Sequence, residues 1–380
     1  MTANTEQPRR IRLTFLTRSL DFGGAQRQLA TLARSLDKRQ FDVSILTFYS
    51  GQPLEHELEN SGVTLVSLDK RGRWELLTFF NRLVREVRAL QPDILHSYLD
   101  IPNVLALLVK RFVPTRIVWG VRASSIELQH YDWLFKLAFK LERAMSGYPD
   151  LIILNSHAAL KYHLSIGFPA QKLKLIPNGI DTETFKPDPE ARTTVRREWG
   201  VPESAPLIGT VGRLDPVKGI PFFLKAVTLV GKQRAEARFV CIGDGPITYA
   251  ERLKSISTEL GINDKVIWAG ARSNMTAAYN ALDLLVSSSL GESFPNAVAE
   301  AMSCGVPCVV TAAGDSASLV GDCGQVVPVG DPEALVASIL SSLDSNRMER
   351  GRQSRVRIVE NFGLEKLASN TEAELKRLIL

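Results

Sequence analysis

IRLTFLTRSLDFGGAQRQLATLARSL, residues 11–36, holds a β-rich run, a glycine turn and an amphipathic helix in that order. A short β-rich run over 11–16 gives way to apolar residues at helical spacing over 25–36, and this change of period marks a strand followed by a helix. Similar short runs recur at FDVSILTF (41–48), TLVSL (64–68), DILHSY (93–98), RIVWGV (116–121) and LIILN (151–155). Helical patterns such as LLTFFNRLVREVRAL (76–90) separate them. Strands alternating with helices predict a parallel sheet covered on both faces.

The pattern then restarts. PLIGTVGRL (206–214), ARFVCIGDG (237–245), KVIWAG (265–270), LDLLVSSS (282–289) and PCVVTAA (307–313) predict a second set of strands. Between the two series lies KPDPEARTTVRREWGVPESAP (186–206), rich in Pro and charge and weak in β character, which reads as the domain boundary. A chain of 380 residues also exceeds what one hydrophobic core usually organises. The expected architecture is α/β, with two Rossmann-like domains, 1–185 and 186–363, facing across a cleft. Ligands of such sheets bind beyond the C-terminal ends of the strands, so the loops at those ends are the place to look for chemistry.

Composition fits an ordinary soluble globular protein, with 45% hydrophobic and 23% charged residues. No run approaches the ~18 apolar residues of a spanning helix. The first twenty residues are polar and then basic, and Arg12 and Arg18 interrupt their apolar stretch, so no signal peptide is expected. The four cysteines, Cys241, Cys304, Cys308 and Cys323, form no CxxC pair, and Cys304 and Cys308 read as small buried residues. A cytoplasmic protein is expected. Residues 1–185 hold 24 Lys+Arg against 18 Asp+Glu, whereas 186–380 hold 22 against 23. The basic front half suits an anionic partner such as a membrane surface; a mildly basic solvated surface is the plainer reading.

Three stretches carry candidate chemistry. FGGAQRQLATL (22–32) places Gly23 and Gly24 where a ligand can approach backbone at a helix N-terminus, although a purely structural turn would look the same. GTVGRLDPVKG (209–219) sets Arg213 and Lys218 just beyond a strand, where a forked donor and a point charge suit a diphosphate. Solvated surface charge is the alternative. GESFPNAVAE (291–300) puts Glu292 in a loop and Glu300 inside the following helix. Pro295 fits a first helical turn and Gly305 a stop. The helix tip near Phe294, Asn296 and Ala297 is expected to offer N–H groups to an anion, with a carboxylate on either side. Glu300, in an otherwise apolar run, is the more telling of the two.

These stretches, together with IPNGID (176–181), CIGDGP (241–246), WAGARSNM (268–275) and AMSCGVPCVVT (301–311), resemble in order the retaining glycosyltransferases of family 4, which have the GT-B fold. The resemblance covers nearly the whole chain and rests on an E-x7-E motif with R-x4-K. It implies that Glu292 contacts donor-sugar hydroxyls and Glu300 the nucleotide ribose. It implies that Arg213 and Lys218 hold the diphosphate and stabilise its leaving charge. Gly23 and Gly24 match a loop closing on the phosphates, and Arg272 a segment facing the base. It further implies that a helix near 364–380 packs back on the first domain. Many members carry His-x-His at the end of the fourth strand; here the stretch is LHSYLD, so His96 remains but Tyr98 holds the second place. His96 is a catalytic candidate, or else a hydrogen-bonded strand residue.

No DxD motif offers a cation site, so side-chain cations are expected to serve in place of metal, with no cofactor. The expected partners are a nucleotide sugar, UDP-linked, and a surface-glycan or lipid-linked acceptor, with no nucleic acid. KRGRW (70–74) and WLFKLAFKLER (133–143) suit a peripheral contact at the inner face of a membrane, or are ordinary core and solvated surface. A non-hydrolysing sugar-nucleotide epimerase shares the fold, but R-x4-K with E-x7-E argues against it. A non-catalytic sugar-nucleotide sensor is disfavoured because all four charged residues are present. A dehydrogenase is disfavoured because no GxGxxG with a downstream acid follows the first strand.

Overall fold

The computed structural model describes residues 9–21, 23–72, 75–122, 133–344 and 346–379, with the side chains of 133–135 excepted. Phe22 of the glycine turn, Arg73 and Trp74 of KRGRW and the first eight residues lie outside the described residues. The chain divides into two units. One runs to Gly179 and takes up the chain again at Leu364; the other is Ile180–Gly363.

In the first unit the strands are β1 (Ile11–Thr17), β2 (Phe41–Thr47), β3 (Val63–Ser67), β4 (Ile94–Tyr98), β5 (Arg116–Val121), β6 (Leu151–Leu154) and β7 (Leu173–Leu175). The helices are α1 (Gly24–Ser35), α2 (Leu76–Leu90), α3 (Asp100–Lys110), α4 (Trp133–Met145) and α5 (His157–Ser165). The sheet is parallel, in the order β3-β2-β1-β4-β5-β6-β7. Successive side chains of a strand point to opposite faces, and β4 shows the consequence. Ile94 and Tyr98 enter a core with Phe15 and helix α1, while Leu95 enters another with α2 and α3.

In the second unit α6 (Pro189–Glu198) precedes β8 (Leu207–Val211), α7 (Ile220–Gln233), β9 (Arg238–Ile242), α8 (Ile247–Glu259) and β10 (Val266–Gly270). Then come α9 (Met275–Ala281), β11 (Leu284–Ser287), α10 (Asn296–Ser303), β12 (Cys308–Thr311), α11 (Ser316–Val320) and β13 (Gln325–Val327). Two more helices, α12 (Pro332–Asp344) and α13 (Arg347–Phe362), complete the unit. Its parallel sheet has the order β10-β9-β8-β11-β12-β13. Cys304 and Cys308 are buried in its core. The short strands β7 and β13 escape sequence reading because three residues carry no period. The last helix, α14 (Leu364–Arg377), packs on α1, with Leu367 and Leu375 in the same core as Phe15.

The charged stretch 186–206 is not a linker, and the break falls at Gly179–Ile180 rather than after 185. Asp188 caps α6 by accepting from the Ala191 N–H at 2.9 Å, with Pro189 at the first helical position. Arg196 is wholly buried and donates to Asp283 Oδ2 at 3.1 Å, to the Ala281 carbonyl at 2.9 Å and to the Pro202 carbonyl at 2.6 Å. A charge within the stretch read as a boundary thus ties the helix to the foot of β11.

Candidate active site

Each sheet changes direction of strand order once, between β1 and β4 in the first unit and between β8 and β11 in the second. Loops leaving two such strands turn to opposite faces of the sheet and leave a crevice between them. The residues singled out from sequence at Gly23–Gly24, at His96, at Arg213–Lys218 and at Glu292 stand on or beside these four strand ends.

In the second unit the loops after β8 and β11 are joined. The Leu290 N–H donates to the Val217 carbonyl at 2.7 Å, and Ser288 Oγ donates to the Gly219 carbonyl at 3.0 Å. Gly219 has φ +61°, and a Cβ there would stand 2.1 Å from the Ser288 carbonyl oxygen, so only glycine permits the approach. Lys218 Nζ lies 2.5 Å from Glu292 Oε1, and the same oxygen accepts from Ser289 Oγ at 2.7 Å. On its other side Glu292 is held by the loop after β12, where a Cβ on Gly314 would stand 2.0 Å from its carbonyl oxygen. Glu292 is therefore fixed by three loops, with its carboxylate against a cation. Arg213 reaches outward, its side chain 72% exposed, and donates to Asp215 Oδ2 at 2.8 Å. Asp215 in turn accepts from the Val217 N–H at 3.0 Å, which shapes the turn carrying Lys218.

At α10 the structure corrects one expectation. The Asn296 N–H is not open at the helix tip, because it donates to the Phe294 carbonyl at 3.0 Å; the tight turn after Pro295 uses it locally. Phe294 is buried with its ring 5.7 Å from that of Phe362, while Asn296 and Ala297 are half-buried. Glu300 is buried, and its Oε2 accepts from Tyr279 Oη at 2.7 Å. Arg272 forks onto Glu198 with two bonds of 2.7 Å and lies over the Trp199 ring at 5.7 Å. The Glu198 carboxylate raises its pKa further. Arg272 is thus engaged by the end of α6, a partner that sequence spacing does not reveal.

In the first unit Gly23 caps α1 in an extended conformation that any residue adopts, and its carbonyl accepts from the Arg27 N–H at 2.9 Å. Gly24 is the first helical residue. Gln28, a turn further on, exchanges two bonds with Gly179, donating to its carbonyl at 2.9 Å and accepting from its N–H at 3.1 Å. His96 is fully buried, and neither ring nitrogen has a hydrogen-bond partner among the described residues. Burial, and then the charge of Arg122, hold its pKa well below the usual imidazole range. Tyr98 Oη accepts from Arg122 Nη2 at 2.7 Å. Sequence reasoning missed Arg122, Asn178, Tyr279 and Ser289; only Asp215 had a signal, the Asp-Pro pair of a turn.

Residues 22–184 match the family described as Glycosyltransferase Family 4, and residues 205–345 match Glycosyl transferases group 1. N-acetyl-alpha-D-glucosaminyl L-malate synthase of Bacillus anthracis is 27% identical over 74% of this chain and 73% of its own. UDP-Gal:alpha-D-GlcNAc-diphosphoundecaprenol alpha-1,3-galactosyltransferase of Escherichia coli is 24% identical over 90% of this chain and 91% of its own. Among solved structures, Anabaena HepE in complex with UDP-glucose superposes with a TM-score of 0.84 at 21% identity, covering 97% of this chain and all of that one. That likeness is one of fold, the two-domain GT-B arrangement of parallel sheets.

Proposed function

The chain belongs to the family 4 glycosyltransferases, and on that premise we propose that it moves a sugar from a UDP-linked donor to a glycan or lipid-linked acceptor, with retention and without a metal. The observation that carries the reading is the Lys218–Glu292 contact at 2.5 Å, made where two loops leave a switch in strand order. A carboxylate and an ammonium side by side suit a donor that has neutral hydroxyls on one end and a diphosphate on the other. In this reading Glu292 accepts from the sugar, Lys218 and Arg213 face the diphosphate, and Glu300 accepts from the ribose. The bond from the sugar's anomeric carbon to the diphosphate breaks, the acceptor oxygen bonds to that carbon on the same face, and the acceptor's proton leaves with the diphosphate. Negative charge grows on the departing oxygen, so cations placed there in advance lower the barrier.

The E. coli relative acts, by its name, on UDP-Gal and a diphosphate-linked lipid, and the B. anthracis relative on L-malate. The first name supports a nucleotide-sugar donor, and the diphosphate of one name and the malate of the other each bear an oxyanion. The test is a melting-temperature panel with UDP, other nucleoside diphosphates, UDP-sugars and NAD, since a ligand of the folded state stabilises it by mass action. UDP should raise the melting temperature and NAD should not. Transfer should persist in EDTA; a strict need for manganese overturns the metal-free mechanism. Conversion of a UDP-sugar to its epimer without acceptor moves the chain to the epimerases.

A further inference from the structure

At the C-terminal edge of the first sheet, β4, β5 and the loop after β7 build a cluster around Arg122. The strand register pairs Tyr98 with Gly120, and a Cβ on Gly120 would stand 3.1 Å from the Tyr98 ring. The missing side chain lets the ring lie across β5 toward Arg122. The guanidinium carbon sits 4.6 Å from the ring centroid; Nη2 donates to Tyr98 Oη at 2.7 Å and Nη1 to Asn178 Oδ1 at 3.2 Å. Tyr98 and Asn178 are buried while Arg122 is half-buried, so of these three residues Arg122 alone keeps appreciable exposure.

Among the described residues, two of the five N–H groups of the guanidinium are engaged in these bonds, and the buried Nε has no partner. Beside Tyr98, at 4.9 Å between ring centroids, lies His96 with both nitrogens unpartnered among the described residues. Buried polar groups are nearly always satisfied, and leaving one unsatisfied has a cost. A brace between strand ends accounts for the two bonds Arg122 makes and not for the donors left over. With the imidazole uncharged, the cluster holds one positive charge, already oriented by a ring and two acceptors before any ligand arrives.

We propose that Arg122 binds an oxyanion of the acceptor, phosphate or carboxylate, with Tyr98 and Asn178 as positioning residues. The proposal rests on the transferase reading above. It also gives Tyr98 a purpose at the place where relatives carry a second histidine: a ring for the guanidinium to stack on and an oxygen to accept its bond, with no competing cation.

The test uses the full chain labelled with ¹⁵N-arginine and saturated with UDP, so that the donor's phosphate site is filled. It is titrated with inorganic phosphate, malate and, as a neutral polyol, myo-inositol. The Arg122 Nε–H signal, assigned by its loss in Arg122→Lys, should move saturably with phosphate or malate and stay in place with inositol. Whichever anion moves it separates phosphate from carboxylate acceptors. Arg122→Lys cannot fork between two acceptors and should bind that anion roughly tenfold more weakly, with UDP affinity and melting temperature unchanged. Should Arg122→Lys melt early, Tyr98→Phe, which keeps the ring, decides by the same loss of anion affinity. No movement with either anion, equal movement with inositol, or undiminished anion affinity in a folded variant overturns the proposal. Failure of the wild type to bind UDP counts against the transferase reading instead, and the anion titration still stands by itself.

Discussion

Glu292 and Glu300 share one loop–helix segment and live in different surroundings. Glu292 is pinned to Lys218 and Ser289, whereas Glu300 is buried against Tyr279. Glu292→Gln should therefore leave UDP affinity intact, or tighten it, because Lys218 loses a competing carboxylate; turnover of the UDP-sugar should fall. Glu300→Gln should weaken UDP and UDP-sugar alike, by about 1.5–3 kcal/mol for a hydrogen bond to a charged group. Calorimetry with UDP beside a transfer assay checks both. If Glu292→Gln loses UDP affinity as strongly as Glu300→Gln, the two carboxylates do not divide the donor between them. The four charged residues were legible because their spacing around strands and glycines is a local pattern. Tyr279 was not, since nothing near it in sequence says that its hydroxyl meets a carboxylate twenty-one residues away.

Among the elements, α2, α3 and α4 cover one face of the first sheet and leave apolar side chains outside. Leu77 is 82% exposed, Leu76 and Phe112 more than half, and Phe80 meets Phe112 edge to face at 5.8 Å. On α4, Leu137 and Leu141 are exposed one turn apart beside Lys140 and Arg143. Exposed apolar side chains beside cations suit the surface of an anionic bilayer, which attracts each Lys or Arg by about 1 kcal/mol. The protein should co-sediment with vesicles containing phosphatidylglycerol, less so at high salt, and Leu76→Ser/Leu77→Ser should release it while UDP binding is kept. Equal sedimentation of wild type and variant would remove these helices from the contact. Hydrophobic periodicity showed α2 plainly, but which apolar residues stay outside depends on the helices packed beside it. Helix α6 shows the opposite failure. Its Pro and charge looked like a linker because two of the acceptors of Arg196, Asp283 and the Ala281 carbonyl, lie far along the chain.

For the whole molecule, the consequential feature is the return of the chain. Residues 364 onward belong to the first unit, where Leu375 is fully buried, Glu374 pairs with Lys174 at 2.7 Å and Glu372 accepts from the Asp37 N–H at 2.8 Å. Gly179 allows close approach, since a Cβ there would stand 2.8 Å from that of Leu367. Ending the chain after Gly363 removes Leu367 and Leu375, about 1.5–3 kcal/mol of burial each. The expected outcome is an early melting transition for the first unit and a second at the wild-type temperature that UDP still raises. A single cooperative transition, shifted as a whole, would show that the units do not melt apart.

The sequence by itself determined the two series of strands, their alternation with helices and the charged residues nearest the strand ends. These are set by local periodicity and by turn chemistry. Folding alone settled where the units part, that α6 is integral to the second of them, that Asn296 spends its N–H within its own turn, and that Arg272 is taken by Glu198. It alone assembled Arg122, Tyr98, Asn178 and His96. His96 and Tyr98 share β4, but Arg122 and Asn178 lie far from them in sequence, and contacts of that range arise when a parallel sheet fixes its register, which no stretch of sequence encodes alone.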